Sequence, residues 1–251
     1  MMKKNCLLAI MAVVTLASCV HERLVFTKEE QSQRNIAVKA FESIEVKGSP
    51  TVLFSQAENV SVNVSGPKSQ VDIIDVRQSG GRLIISKQKN LKLSLADIDE
   101  VTVTVTGPDL VGVSLLGSGD FRCVSSLDTD TLRLALHGSG DVDFPKPIVC
   151  DRLDAEVLGS GDLKVKRAKT SLANLSLTGS GDLKVGLKDT QRTRVSLVGS
   201  GDADVDFDNC QHAECMVKGS GDIELSGQIE HLSEQKSGSG SIDKEKLTLK
   251  K

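Results

Sequence analysis

The amino-acid sequence predicts an all-β fold, a right-handed parallel β-helix (a solenoid) with about 20 residues per turn. Two observations carry this expectation. First, Gly-Ser-Gly-Asp begins at Gly117, Gly138, Gly159, Gly179, Gly199 and Gly219, and Gly-Ser-Gly-Ser at Gly238, in steps of 21, 21, 20, 20, 20 and 19 residues. Second, the flanks alternate. Val113 and Leu115, Leu134 and Leu136, Leu175 and Leu177 stand four and two places ahead of their glycine; Phe121 and Cys123, Val142 and Phe144, Leu163 and Val165 stand one and three places after the aspartate. Polar residues separate most of these, which is the period of a half-buried strand on each side of the turn. A 20-residue unit cannot bury its apolar face alone, whereas stacked units cover one another's aliphatic rows. The leucine-rich repeat shares the period, but its helix-forming half and Asn ladder are missing.

The chain opens with Lys3 and Lys4, an apolar run from Cys6 to Leu16, and then Leu16-Ala17-Ser18-Cys19. A basic start, a short apolar core and small residues before a cut site describe a secretory signal peptide over residues 1–18. The run is shorter than the roughly 20 residues a membrane-spanning helix needs. Its ending resembles the bacterial lipobox, in which the cysteine becomes the first mature residue and carries the lipid (palmitate among its acyl chains). Cys19 is therefore the expected lipidation site. Residues 19–35, with His21, Glu22, Arg23, Lys28 and Glu29, are polar and unpatterned, and are expected to form a flexible tether. The address is the cell envelope, as a membrane-anchored lipoprotein, with the outer membrane as the expected site.

Residues 36–110 lack the Gly-Ser-Gly-Asp corner but keep the alternation, as at Ile44 and Val46, Val52 and Phe54, and Val101, Val103 and Val105. Gly48-Ser49-Pro50, Ser65-Gly66-Pro67, Gly80-Gly81 and Gly107-Pro108 read as turns between strands. This part is expected to be an irregular N-terminal portion stacked on the regular repeats of residues 111–225. In residues 226–251, Glu234, Lys236 and Lys244 replace apolar positions and Ser241 replaces aspartate, as expected of a degenerate last repeat and C-terminal cap.

Within the tetrapeptide, glycine supplies positive φ and aspartate accepts hydrogen bonds from backbone amides. Stacking would place Asp120, Asp141, Asp162, Asp182, Asp202 and Asp222 in one row. Like charges about 4.8 Å apart repel by about 1 kcal/mol in water and by a few at a surface. Backbone donors are the simpler offset, and weak Ca²⁺ binding along the row is the alternative.

Composition narrows the function. With 31 basic and 34 acidic residues, a net charge of -3 and no basic stripe, no nucleic-acid partner is expected. Tyr and Trp are absent, so flat rings for stacking sugars are few. Cys123 and Cys215 fall at inward positions, and no structural disulfide is expected among Cys123, Cys150, Cys210 and Cys215; Cys210 with Cys215 is the one local pair left open. Neither C-x-x-C nor H-x-x-x-H occurs, so no metal site or cofactor is expected. Lys164 and Lys184, continued by Asp204 and Glu224, read as a solvated face, and His137 beside its corner as a surface residue.

The segments FESIEVKGSPTVLF, GGRLIISKQ and VTVTVTGPDL, together with the serial GSGD, resemble the auto-transporter adhesin "head GIN" domain family over residues 41–245. The resemblance implies a parallel β-helix in a Gram-negative envelope lipoprotein. The function expected is non-catalytic: a solenoid scaffold whose repetitive face adheres to an envelope or extracellular protein or glycan, with no catalytic residues. The alternative is a β-helix enzyme acting on polysaccharide, which would need aspartates clustered with lysine or arginine, or paired carboxylates, in a groove.

Overall fold

The computed structural model describes residues 30–88 and 101–250. Cys19 and the signal peptide lie outside the described residues. The chain enters on β1 (Gln31–Ile36), which runs antiparallel to β4 (Ser61–Pro67). The expected tether therefore has to be shortened, because residues 31–35 belong to a strand. The cause is tertiary: the outer edge of β4 offers unpaired backbone groups, and Ile36 packs against the core.

The first full turn is β2 (Ser43–Gly48) and β3 (Thr51–Gln56), joined by Gly48-Ser49-Pro50. Gly48 is the register partner of Gly117, and its carbonyl accepts the Ser118 and Gly119 amides at 3.1 and 2.9 Å. The glycine corner thus begins one turn earlier than the tetrapeptide itself does. After β4 come the six-residue α1 (Lys68–Ile73), β5 (Ile74–Ser79), β6 (Arg82–Lys87) and β7 (Thr102–Gly107). Here chain order and stacking order part. β6 and β7 lie on the outer side of β2 and β3, so the first turn is sandwiched between two later ones. β5 and β4 then close the outer edges antiparallel to β6 and β7. α1 buries Gln70, Val71 and Ile73 at this end.

Regular turns follow. β8 (Gly112–Gly117), β9 (Asp120–Cys123) and β10 (Leu127–Asp128) are stacked by β11 (Thr131–Gly138), β12 (Asp141–Phe144) and β13 (Ile148–Val149). β14 (Arg152–Gly159), β16 (Leu172–Gly179) and β18 (Arg192–Gly199) continue the face ahead of the corner. β15 (Leu163–Lys169) and β17 (Asp182–Lys188) bend through the second and third faces as single strands. β19 (Asp202–Gly219), β20 (Ile223–Gly238) and β21 (Ile242–Leu249) finish the stack. All of these regular-turn pairings are parallel. The structure is a β-solenoid of about 7 turns with ~20 residues each.

Its core is a set of columns. Leu115, Leu136, Val157, Leu177, Leu197 and Val217 are register partners and each is fully buried. Burying one such side chain contributes about 1.5–3 kcal/mol, and each rung exists only because its neighbours supply the cover. Phe121 and Phe144 meet at 5.8 Å across adjacent turns. Cys123, Cys150, Cys210 and Cys215 are buried free thiols. Cys210 pairs in register with Ile229 at the third corner, and Cys215 with Val195 and Glu234 inside the first face, so the local pair left open is split between two sides of the solenoid.

At the far end Glu234 stacks on Cys215 and Lys236 on Val217, where earlier turns hold aliphatic residues. Lys244 reaches Glu234 at 2.8 Å, an ion pair tying two faces of the last turn together.

Candidate functional site: the stacked corner and the groove beside it

The corner is built from backbone. The first glycine of each tetrapeptide has φ between 132° and 142° from Gly117 to Gly219, where a side chain would strain the chain. Its carbonyl accepts two amides of the following turn; Gly138 receives Ser160 at 2.9 Å and Gly161 at 3.1 Å. The second glycine has a different reason. A Cβ on Gly140, Gly161 or Gly181 would stand 1.9–2.1 Å from the carbonyl oxygen of the glycine one turn earlier. Close approach between turns, rather than positive φ, excludes every other residue there. The intervening serines, such as Ser139 and Ser160, face solvent.

The six aspartates line up as the repeat requires, and five of their carboxylates accept from the next turn, while that of Asp182 lies 3.9 Å from Lys184. Oδ1 of Asp120, Asp141, Asp162 and Asp202 accepts the backbone N–H of Asp141, Asp162, Asp182 and Asp222 at 3.3, 3.2, 3.1 and 3.1 Å. Asp222 receives the Ser241 hydroxyl and amide, and these two hydrogen bonds hold its carboxyl below the usual aspartate range. The acceptor therefore serves the next turn, not its own corner as the sequence suggested. Lys164 Nζ adds a contact to Asp162 at 3.0 Å, which raises the lysine above its ordinary value. Amides and ammonium groups together offset the like-charge row. Among the described residues, no group of three His, Cys, Asp or Glu side chains is placed to hold a metal ion.

Beside the row, on the second face, lies a groove of about 550 Å³ running along the solenoid. The register of β15 on β17 shifts between Val165 and Ala168, at the edge of this groove. At the floor Gly186 is buried and packs closely on the turn before it, since a Cβ there would meet the Lys166 carbonyl oxygen at 2.4 Å. The walls carry Lys164, Lys166, Lys184, Asp204, Asp206 and Glu224. Lys164 and Lys184 are register partners, continued by Asp204 and Glu224, as the repeat implies. The charges are joined: Lys184 to Asp204 at 3.0 Å, Arg122 to Asp143 at 3.2 Å, and Lys246 to Glu224. The hydrogen bond from Lys184 to Asp204 holds the ammonium protonated to higher pH than usual. The groove itself could not be read from the repeat, since its walls are assembled from side chains on successive turns, from Asp143 to Lys246.

Chemically, this surface offers paired ammonium and carboxylate groups over aliphatic stems. It suits polar binding along a line. The Asp204 and Glu224 carboxylates are each engaged by a lysine, and all four thiols are buried away from the groove. His137 sits beside its corner, half-exposed, 4.0 Å from Glu156.

This fold and its corner stack coincide with a known family. The family described as putative auto-transporter adhesin, head GIN domain matches residues 40–209 and again residues 169–251. The chain belongs to this head GIN family. The two matches overlap, as a repeat in regular register allows. A solved structure of a putative adhesin from Bacteroides fragilis is 26% identical, with a TM-score of 0.78 over 86% of this chain and 97% of that one. Two Parabacteroides distasonis structures show the same fold: a putative lipid binding protein at 22% identity and a putative adhesin at 18%, both with a TM-score of 0.67. The first covers 85% of this chain and 96% of its own, the second 86% and 97%. No curated protein matches the chain. Membership in an adhesin-like family points to an envelope or surface location and an external partner. Among the described residues of this head GIN chain, no helix is long and apolar enough to cross a membrane.

Proposed function

We propose that the chain is a lipoprotein held to the outer membrane through an acylated Cys19, and that its solenoid binds a protein or glycan partner without catalysis. The observation that carries the binding role is the groove of the second face, which extends over several turns and is lined by charges most of which already have an opposite partner at the surface. A partner's polar groups can exchange with these pairs at little electrostatic penalty, because surface pairs are individually weak. Head GIN membership and the adhesin description of its relatives support the same reading.

Anchoring gives this reading a direction. Glu30, where the described fold begins, is 11 residues from Cys19, a reach of at most about 40 Å. The capped N-terminal end is then the membrane-proximal one, and the last turns point outward.

Two measurements test the proposal. Cys19→Ala should abolish incorporation of labelled palmitate and release the protein from the membrane fraction. Pull-down of the lipidated protein from envelope and surface extracts should retain a partner that Lys166→Glu with Lys184→Glu releases. Reducing ends liberated from envelope polysaccharides by the wild type, and lost on Asp162→Ala or Asp182→Ala, would instead establish the polysaccharide-acting enzyme.

A further inference from the structure

On the first face, one outward column changes character at the last two turns. Arg152, Leu172 and Arg192 occupy it on successive turns, and His212 and His231 follow. The two imidazoles are register partners, both exposed, stacked with centroids 4.8 Å apart and planes 15° from parallel. They stand over a shallow concavity that also carries Arg192, Glu214 and Ser233. Among the described residues, neither ring has a hydrogen-bond or ion-pair partner, whereas Glu214 is held by Arg194 at 2.9 Å.

We infer that His212 and His231 form a two-histidine clamp for a late first-row divalent cation. The solenoid performs the costly part of such a site. Backbone pairing already holds both side chains on neighbouring rungs, so the second imidazole joins the metal intramolecularly. A tetrahedral ion with nitrogens at 2.0–2.1 Å needs them about 3.4 Å apart and must lie in the plane of each ring, so the two exposed imidazoles would rotate out of their stacked arrangement to converge on it. Water completes the open positions, since among the described residues no third protein ligand is in place. Imidazole ligands select Cu²⁺, Ni²⁺ and Zn²⁺ over Ca²⁺ and Mg²⁺. Arg192, next in the column, opposes a bound cation, and Glu214, two residues beyond His212, favours it.

The test is calorimetric titration of the untagged mature protein, in a His21→Ala background, with Cu²⁺, Ni²⁺ and Zn²⁺. One ion should bind, with Cu²⁺ tightest. His212→Ala and His231→Gln should each weaken binding by about tenfold or more, since each leaves a single surface imidazole. His137→Ala should change nothing, and Arg192→Gln should tighten binding several-fold. Melting midpoints without metal verify that each variant is folded. Absence of binding by the parent protein, affinity that survives loss of either clamp histidine, or loss on His137→Ala overturns the assignment.

Discussion

Gly140 stands over Gly119 so closely that a Cβ on Gly140 would lie 1.9 Å from the Gly119 carbonyl oxygen. Since that contact is backbone against backbone, no rotamer change relieves it, and the two turns must separate. Gly140→Ala is expected to destabilise the solenoid by about 3 kcal/mol or more. Ser139→Ala, next in the chain but facing solvent, should stay within about 0.5 kcal/mol of the parent. Urea unfolding of both variants checks the contrast.

The aspartate row gives a second expectation. Asp162 Oδ1 accepts the Asp182 amide, so Asp162→Ala leaves that amide without its acceptor and should lower stability by about 1 kcal/mol. Asp162→Asn keeps an acceptor and removes one charge from the row, and should fall within about 0.5 kcal/mol of the parent. With the carboxylates already serving amides and lysines, excess Ca²⁺ or a Ca²⁺ chelator should leave the melting midpoint unmoved. A midpoint that climbs with Ca²⁺ would make the row a cation site instead.

Acid sensitivity follows from two half-hidden carboxylates. The hydrogen bond from Lys47 lowers the Glu45 carboxyl; burial pulls the other way, and Arg82 at 2.7 Å adds to the lowering. For Asp154 burial acts first and upward, but hydrogen bonds from Arg152 and Asn174 outweigh it and the carboxyl is also lowered. A lowered folded value means the stabilisation is fully present above the ordinary carboxylate range and disappears as pH falls through the folded value. Stability should therefore be flat near neutrality and fall below about pH 4. Glu45→Gln should reduce stability at neutral pH and flatten that acid limb, as read from unfolding curves across pH.

Thiol chemistry provides a fourth expectation. Desolvation pushes Cys123 up to about 11 and Cys215 up to about 12, and burial raises Cys150 and Cys210 as well. The thiolate is the reactive form, so these four cysteines should resist maleimide at pH 8 while the protein is folded and all react in denaturant. Rapid native labelling at any of the four would mean that its rung opens.

The last turn supports a fifth. Glu234, Lys236 and Lys244 occupy the end where another rung would otherwise stack, and inward charges on an edge oppose pairing with a second chain. Replacing all three with leucine should produce end-to-end association, seen as concentration-dependent mass in sedimentation. A variant that stays monomeric would assign end protection to something else.

The solenoid was legible because its evidence is covalent and periodic. Seven glycine corners at a nearly fixed interval, each between alternating residues such as Leu134 and Leu136 on one side and Val142 and Phe144 on the other, leave few packings that hide the aliphatic rows. The same interval placed Lys164 beside Lys184, and Asp162 beside Asp182. It also carried His212 opposite His231, a pair that their scattered positions in the chain conceal and the 19-residue step between those turns creates.

What the chain's order of residues could not convey was how the non-repeating part folds back. β6 and β7 slip outside the earlier β2 and β3, and residues 31–35 turn from an expected tether into part of a strand, because exposed sheet edges far away in sequence recruit them. The groove likewise takes its walls from side chains of successive turns, from Asp143 to Lys246. Local alternation and repeat length determined the coil and its registers by themselves. Edge closure, the groove and the partners of each charge depend on which surfaces meet through space, and only the assembled stack decided those.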